Sequence, residues 1–180
     1  MKPICEMDRA EFGAYVFTLL KEQGVDLVLS GGSCVSIYTE EAYVSGDLDF
    51  VQLNLASRAI IESTMLSSGF TRENRYFKHS DSEFFIEFPG GPPSIGEAPI
   101  REFSKIETDS GELVLLTPTD CVKDRLAAYY HWGDEESLNQ AILVARYQTI
   151  DFSSVENWSS SEGKLDVYNS IRSFFLNEVM

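Results

Sequence analysis

Phe12, Tyr15, Val16, Leu19 and Leu20 fall at i, i+3, i+4, i+7 and i+8, the apolar stripe of an amphipathic helix. Asp8 and Glu11 have capping-box spacing ahead of the stripe, and Gly24 is placed to stop it, so a helix is expected over 8–23. Residues 26–30 (DLVLS) then read as a short buried strand that runs into Gly31-Gly32-Ser33, with a second helix from about Cys34 to Glu41. Ser45-Gly46 marks a turn, and 47–53 (DLDFVQL) alternates polar and apolar as a strand does. A helix over 56–67 ends at Gly69, and strand-like runs follow at 70–72, 75–79 and 83–88. Residues 89–99 (PGGPPSIGEAP) are too rich in Gly and Pro for a ladder or a helix and read as a loop, a connection or a substrate-facing flap. Residues 103–108 and 112–116 form a hairpin around Asp109-Ser110-Gly111.

At Thr117 the period changes. Thr117 is a helix cap, Pro118 sits at the first helical position, and Val122, Leu126, Tyr129 and Tyr130 have helical spacing. A further helix starts at Asp134 with Leu138, Ala141, Ile142 and Ala145 on one face; 153–163 reads as a polar linker, and 165–179 as a last amphipathic helix. The order gives an α+β domain, a mixed sheet flanked by helices over 1–116, followed by a small helical C-terminal segment over 117–180.

Composition narrows the function. With 180 residues, 43% of them apolar, the chain can bury a full core. It has no apolar run near the roughly 18–20 residues of a membrane span, and its first residues lack a signal-peptide stretch. Three scattered cysteines and two histidines build neither a disulfide framework nor a zinc site, so a reducing cytoplasm is the expected location. The net charge of −15, spread along the chain, rules out an overall basic surface and with it extended DNA binding. Arg72, Arg75 and Lys78 are the densest basic cluster: solvated strand ends, or a clamp for polyphosphate or RNA.

The chemistry concentrates in 27–51. Gly31 and Gly32 let the main chain turn sharply and let a ligand approach it, the helix behind them offers N–H groups to a phosphate, and Ser33 adds a hydroxyl. Thirteen residues separate Ser33 from Asp47, and Asp47 and Asp49 share one face of a strand. Their Cα atoms would be about 6.5–7 Å apart. Such a pair repels unless a cation lies between, and Mg²⁺ or Mn²⁺ beside a triphosphate fits. Glu87, the one polar residue in 84–88 (FFIEF), can hold a metal or take a proton. Each piece alone has a plainer reading: a strand-to-helix turn, the exposed face of an edge strand, a solvated strand residue.

Taken together, Gly32-Ser33, Asp47-Leu48-Asp49-Phe50 and Glu87 resemble the polymerase-beta-like nucleotidyltransferase superfamily, over about residues 27–88. Residues 117–127 (TPTDCVKDRLA) resemble the helix after the catalytic sheet in small bacterial nucleotidyltransferases of the abortive-infection and toxin–antitoxin types. By that resemblance Lys123 and Asp134 help hold the nucleotide, although Lys123 can simply pair with Asp120 and Asp134 is placed as a helix cap. Tyr129, Tyr130 and Trp132 read as core or interface aromatics, one of which can stack on a base. The resemblance implies a metal-dependent transfer of a nucleoside monophosphate from an NTP to a hydroxyl on a protein, an RNA 3′ end or a small molecule such as an aminoglycoside. Asp47, Asp49 and Glu87 would hold metal and catalyse, and Gly31, Gly32 and Ser33 would cradle phosphate. The alternatives are a catalytically silent nucleotide-binding or protein-interaction module on the same fold, and an unrelated acidic interaction domain with no ligand.

Overall fold

The Asp8 carboxylate accepts from the Glu11 N–H at 2.9 Å, and the Glu11 carboxylate accepts from the Asp8 N–H at 2.9 Å. This closed capping box starts α1 (Arg9–Lys21). The computed structural model describes residues 2–90 and 94–176. After α1 come β1 (Leu27–Ser30), α2 (Gly31–Tyr38), β2 (Asp47–Gln52), α3 (Arg58–Ser67), β3 (Phe70–Glu73), β4 (Tyr76–His79) and β5 (Phe85–Glu87). Then follow β6 (Ser94–Ile95), β7 (Ala98–Pro99), β8 (Phe103–Thr108), β9 (Gly111–Leu116) and four helices: α4 (Pro118–Trp132), α5 (Glu135–Tyr147), α6 (Phe152–Ser161) and α7 (Leu165–Leu176).

Seven strands form one mixed sheet in the order β3-β4-β5-β2-β1-β9-β8. The local hairpins β3–β4 and β8–β9 are antiparallel and lie at the two edges. In the centre β2 runs antiparallel to β1 and parallel to β5, and β1 runs parallel to β9. Leu48 and Phe50 of β2 and Ile86 of β5 point into the core and are fully buried; Asp47, Asp49 and Glu87 point to the other face. Helix α1 lies on the core face, where Gly13 allows close approach: a Cβ there would stand 3.2 Å from Leu48 and 3.3 Å from Leu113. Phe12 of the same helix packs on Phe70 and Phe84, ring centres 6.1 and 5.8 Å away.

The expected α+β architecture with a helical C-terminal part is what forms. Three details differ from the sequence reading. Helix α2 starts at Gly31, three residues before Cys34, and ends at Tyr38 because Glu40 and Glu41 adopt left-handed backbone. Residues 153–163 are no linker. Asp151 accepts from the Ser154 N–H at 3.0 Å to cap α6, which buries Val155, Trp158 and Ser159. The expected loop 89–99 carries a two-stranded ladder, β6 with β7, because Ile95 is buried and its carbonyl accepts from the Trp158 indole at 3.1 Å. Gly91, Pro92 and Pro93 of that loop and 177–179 of the expected last helix lie outside the described residues. Of the aromatics expected in the core or at an interface, Trp132 is 80% exposed at the end of α4, while Tyr130 stacks on Trp158 at 5.6 Å and hydrogen-bonds Ser159 at 3.0 Å. Among the described residues no helix is long and apolar enough to cross a membrane.

Candidate active site

The pairing of β1 with β2 sets Ser30 opposite Asp49, and the parallel pairing of β2 with β5 sets Asp49 opposite Glu87. Three consecutive elements of the sheet thus bring the end of β1, the two aspartates and the glutamate to one place. Ligand oxygens of Asp47, Asp49 and Glu87 all lie within 4.8 Å of one another, each residue half-buried.

The turn at the end of β1 is built around that cluster. Gly31 has φ +69°, left-handed backbone that suits glycine, and the space its absent Cβ would fill holds the Asp49 carboxylate. A Cβ on Gly32 would stand 3.0 Å from the Ser45 hydroxyl. No described side chain caps the first turn of α2, which leaves N–H groups and the positive helix end beside the carboxylates. Ser33 is fully buried: its hydroxyl donates to the Asp47 carbonyl and accepts from Arg9 Nη1 at 3.2 Å. It ties the start of α2 to the start of β2, and the buried Arg9 guanidinium, paired with Glu41 at 2.9 Å, closes the joint from behind.

Burial, then the charges of Asp47 and Glu87, push the Asp49 carboxyl up to about 7. Arg125 of α4 opposes this rise. Ser45 donates to Asp47 Oδ1 at 2.9 Å, and Arg75 Nε lies 3.4 Å from Glu87 Oε2.

The two candidates from the C-terminal part are engaged by other partners. Lys123 pairs with Asp120 at 3.0 Å and lines a separate groove with Thr117, Thr119, Asp151 and Arg101. It is two residues, about 200° of helix, from Arg125. Asp134 caps α5, accepting from the Glu136 and Ser137 N–H groups at 3.1 and 3.3 Å and from the Ser137 hydroxyl at 2.7 Å. The Ser137 hydroxyl chiefly holds its carboxyl below the usual range, with a smaller contribution from Arg125. Arg125, Arg75, Ser45 and Arg9 are the site neighbours that sequence reasoning did not assign. Arg75 was visible in the basic cluster and Arg125 in the α4 run, but nothing in either spacing says which cation turns toward the carboxylates.

No protein-family model and no curated protein matches the sequence. Solved structures do match in shape. An antigenic nucleotidyltransferase-like protein from Paracoccidioides brasiliensis superposes with a TM-score of 0.59 at 12% identity, over 93% of this chain and 92% of that one. ANT(2")-Ia in complex with adenylyl-2"-tobramycin superposes with a TM-score of 0.52 at 14% identity, over 82% and 92%. At these identities the likeness is one of fold, and the chain has the nucleotidyltransferase fold.

Proposed function

We propose that this chain, built on the nucleotidyltransferase fold, is a metal-dependent enzyme that moves a nucleoside monophosphate from an NTP to a hydroxyl acceptor with loss of pyrophosphate. The observation that carries the reading is the convergence of Asp47, Asp49 and Glu87 within 4.8 Å, against a glycine turn and an uncapped helix start. Fold likeness alone would not support it; the site must.

The donor set suits Mg²⁺ or Mn²⁺. Three carboxylates are hard oxygen ligands, and burial with the charges of Asp47 and Glu87 holds the Asp49 carboxyl up to about 7, a cost that a cation bound among them would relieve. When bound, the metal would supply charge neutralisation at the phosphates and at the leaving oxygen. In this reading Asp47 and Asp49 hold it, and the main chain of Gly31 and Gly32 receives the triphosphate. Ser33 keeps that turn in register with β2. Glu87 accepts the proton of the acceptor hydroxyl, whose oxygen bonds to the α-phosphorus as the bond to the β-phosphate oxygen breaks. Residues 1–116 would carry this chemistry. Residues 117–180 would wall it, with Arg125, paired with Asp124, as the α4 cation whose charge acts on Asp49, and with Lys123 and Asp134 as candidates for holding the nucleotide. ANT(2")-Ia, held with adenylyl-2"-tobramycin, is a precedent for a small hydroxylated acceptor on this fold. The three free cysteines suit a cytoplasmic location.

The test is pyrophosphate release together with label transfer, with each of the four NTPs, Mg²⁺ or Mn²⁺, and a cell extract as acceptor source. Wild type is expected to transfer, and Glu87→Gln to be slower by roughly 10²–10⁴-fold, the usual worth of a general base. The engagement of Lys123 with Asp120 is the one feature that favours a silent nucleotide-binding module. Metal-dependent nucleotide binding without any transfer would select that reading.

Because metal must displace the Asp49 proton, apparent affinity for Mn²⁺ should climb with pH and level off above about 8. A group titrating near 7 is about one-tenth ionised at pH 6 and nine-tenths at pH 8, so the expected gain is roughly tenfold. Calorimetric titration at the two values reads it, and a flat profile would refute the assignment of Asp49 as a ligand.

A further inference from the structure

The face of the sheet that carries the three carboxylates continues past Glu87 onto two aromatic rings. The β4–β5 pairing sets Tyr76 opposite Glu87 and Lys78 opposite Phe85, and the β2–β5 pairing sets Phe85 opposite Asp47. Side chains directly opposite each other share a face, and in an antiparallel pair their Cβ atoms stand about 4.5–5.5 Å apart. Tyr76 and Phe85 therefore lie beside Asp47 and Glu87, while Phe77 and Ile86, which alternate with them, are buried on the core side. The two ring centres are 6.1 Å apart.

Each ring carries a cation. Arg75 lies over the Tyr76 ring at 4.8 Å and donates to its hydroxyl at 2.6 Å, and Lys78 Nζ lies 4.6 Å from the centre of the Phe85 ring. This shelf is open to solvent: Phe85 is 36% exposed and the Arg75 side chain 67%. The two cations differ in what they offer. Lys78 is tied to Glu73 at 2.6 Å. Arg75 reaches Glu87 Oε2 with Nε at 3.4 Å, and most of its five N–H groups remain for a ligand.

Rings and a guanidinium plane exposed on a sheet face stack a nucleobase, and a guanidinium edge grips a phosphate. Strand order says which nucleotide sits there. The order runs β4-β5-β2-β1, and the glycine turn follows β1. A triphosphate on that turn lies on the β1 side of the carboxylates; the shelf lies on the β4 side, next to the candidate proton acceptor. We propose that the Tyr76–Phe85 shelf is the acceptor subsite and that the acceptor is a free nucleoside monophosphate.

This proposal deepens the nucleotidyl-transfer reading and rests on it. The base lies on Phe85 and on the guanidinium stacked over Tyr76. Arg75 turns from Glu87 to the monophosphate, and Glu87 takes the proton of a ribose hydroxyl. The hydroxyl oxygen bonds to the α-phosphorus of the NTP, the bond from that phosphorus to the β-phosphate oxygen breaks, pyrophosphate leaves, and the product is a dinucleotide. A single nucleotide suits the shelf better than a strand. Lys78 is engaged, and Arg72, opposite the buried Phe77, is on the other face and paired with Glu62 at 2.9 Å. In a chain of net charge −15, no basic track among the described residues leads from Arg75 to receive further phosphates.

The test is calorimetric titration of the full chain with AMP, GMP, CMP and UMP, before and after saturation with α,β-methylene-ATP and Mg²⁺, together with mass spectrometry of reactions holding ATP, Mg²⁺ and each monophosphate. At least one monophosphate is expected to bind saturably to the analogue-loaded protein and to yield a dinucleotide. Its affinity should fall by about fivefold or more in Phe85→Ala and in Arg75→Gln, and be kept in Phe85→Tyr, which retains a ring. Ribose 5-phosphate, which has no base, should bind more weakly by a similar factor. Both side chains are exposed, and unchanged melting curves confirm that the variants fold. If the analogue binds but no monophosphate binds beside it, or one binds regardless of both substitutions, the shelf proposal fails and the transfer reading stands. Binding without any dinucleotide would equally end the acceptor assignment. If the substitutions weaken the analogue instead, the shelf holds the donor's base and the proposal is overturned. If the analogue does not bind at all, the transfer reading fails and the proposal with it. A single-stranded RNA of about twenty nucleotides that binds more tightly than any monophosphate, and is lost in Phe85→Ala, would overturn the free nucleotide.

Discussion

Asp49→Asn is expected to end nucleotidyl transfer and, at the same time, to raise the melting temperature of the metal-free protein. The two effects have one cause. Asp49 is set among Asp47, Glu87 and the main chain of Gly31, and burial with like charge lifts its carboxyl from 3.8 to about 7. A carboxyl whose folded value is raised binds a proton more tightly in the native state than in the unfolded chain. Stability is therefore highest below 3.8 and is lost as pH rises through the window from 3.8 to 7. A rise of that size caps the cost of the charge at about 4 kcal/mol at neutral pH. Partial solvent access to the half-buried group brings the expected gain on removing the charge to roughly 2 kcal/mol. Asparagine keeps the shape and has no charge to bury. For a chain of this size that gain amounts to roughly 4–8 °C.

The gain should shrink as the buffer is taken from pH 7.5 to pH 5, since wild-type Asp49 is then protonated too. Added Mg²⁺ should close the gap from the other side by stabilising wild type alone. Turnover should fall by roughly 10³-fold or more, as expected when a charge that holds a catalytic metal is removed. Differential scanning fluorimetry at three pH values, with and without Mg²⁺, reads all of this. A variant that melts at or below wild type at pH 7.5 would mean that the three carboxylates carry no stored repulsion. The metal assignment would then lose its physical basis.

The part of this site that was legible in the sequence is the part built by local chain and one strand register. Gly31-Gly32 must turn, Asp47 and Asp49 must share a face, and Glu87 is conspicuous in an apolar strand; the β2–β5 pairing then does the rest. What was not legible depends on distant packing. Ser33 was read as a hydroxyl for phosphate, and only the fold reveals that Arg9, twenty-four residues earlier, and the Asp47 carbonyl engage it. Lys123 and Arg125 sit on one helix two residues apart, and which faces the carboxylates depends on how α4 packs on α2 and α5. The helix α6 was hidden by its serines. Its Phe152, Val155 and Trp158 have helical spacing, but five serines among ten residues gave the segment the look of a linker. The buried Trp158 that fixes it reaches to Ile95, in the other stretch that composition misread.

Gly31→Ala is the second large effect, and it separates two costs that coincide at one residue. At φ +69° an L side chain is strained, by about 1–2 kcal/mol. The new Cβ would also fall on the Asp49 carboxylate. That carboxylate cannot simply retreat with its strand, because Ser30 pairs with Asp49 and Leu29 with Phe50 on one side and Asp49 pairs with Glu87 on the other. The side chain must rotate away from Asp47 and Glu87, and the three-carboxylate cluster opens. The expected outcome is a destabilisation of roughly 2–4 kcal/mol and loss of metal binding. Gly133 is the internal reference. It has φ +66°, and a Cβ there meets nothing within 4 Å, so Gly133→Ala reports backbone strain alone, about 1–2 kcal/mol, with Mn²⁺ affinity unchanged. The excess cost at Gly31 over Gly133 is then the clash. Adding Asp49→Gly to Gly31→Ala should return that excess, a coupling that a double-mutant cycle by denaturant titration measures directly. Equal costs at the two glycines would show that Gly31 and Asp49 are not in contact. The glycine turn would then be a turn only, with no part in shaping the carboxylate site.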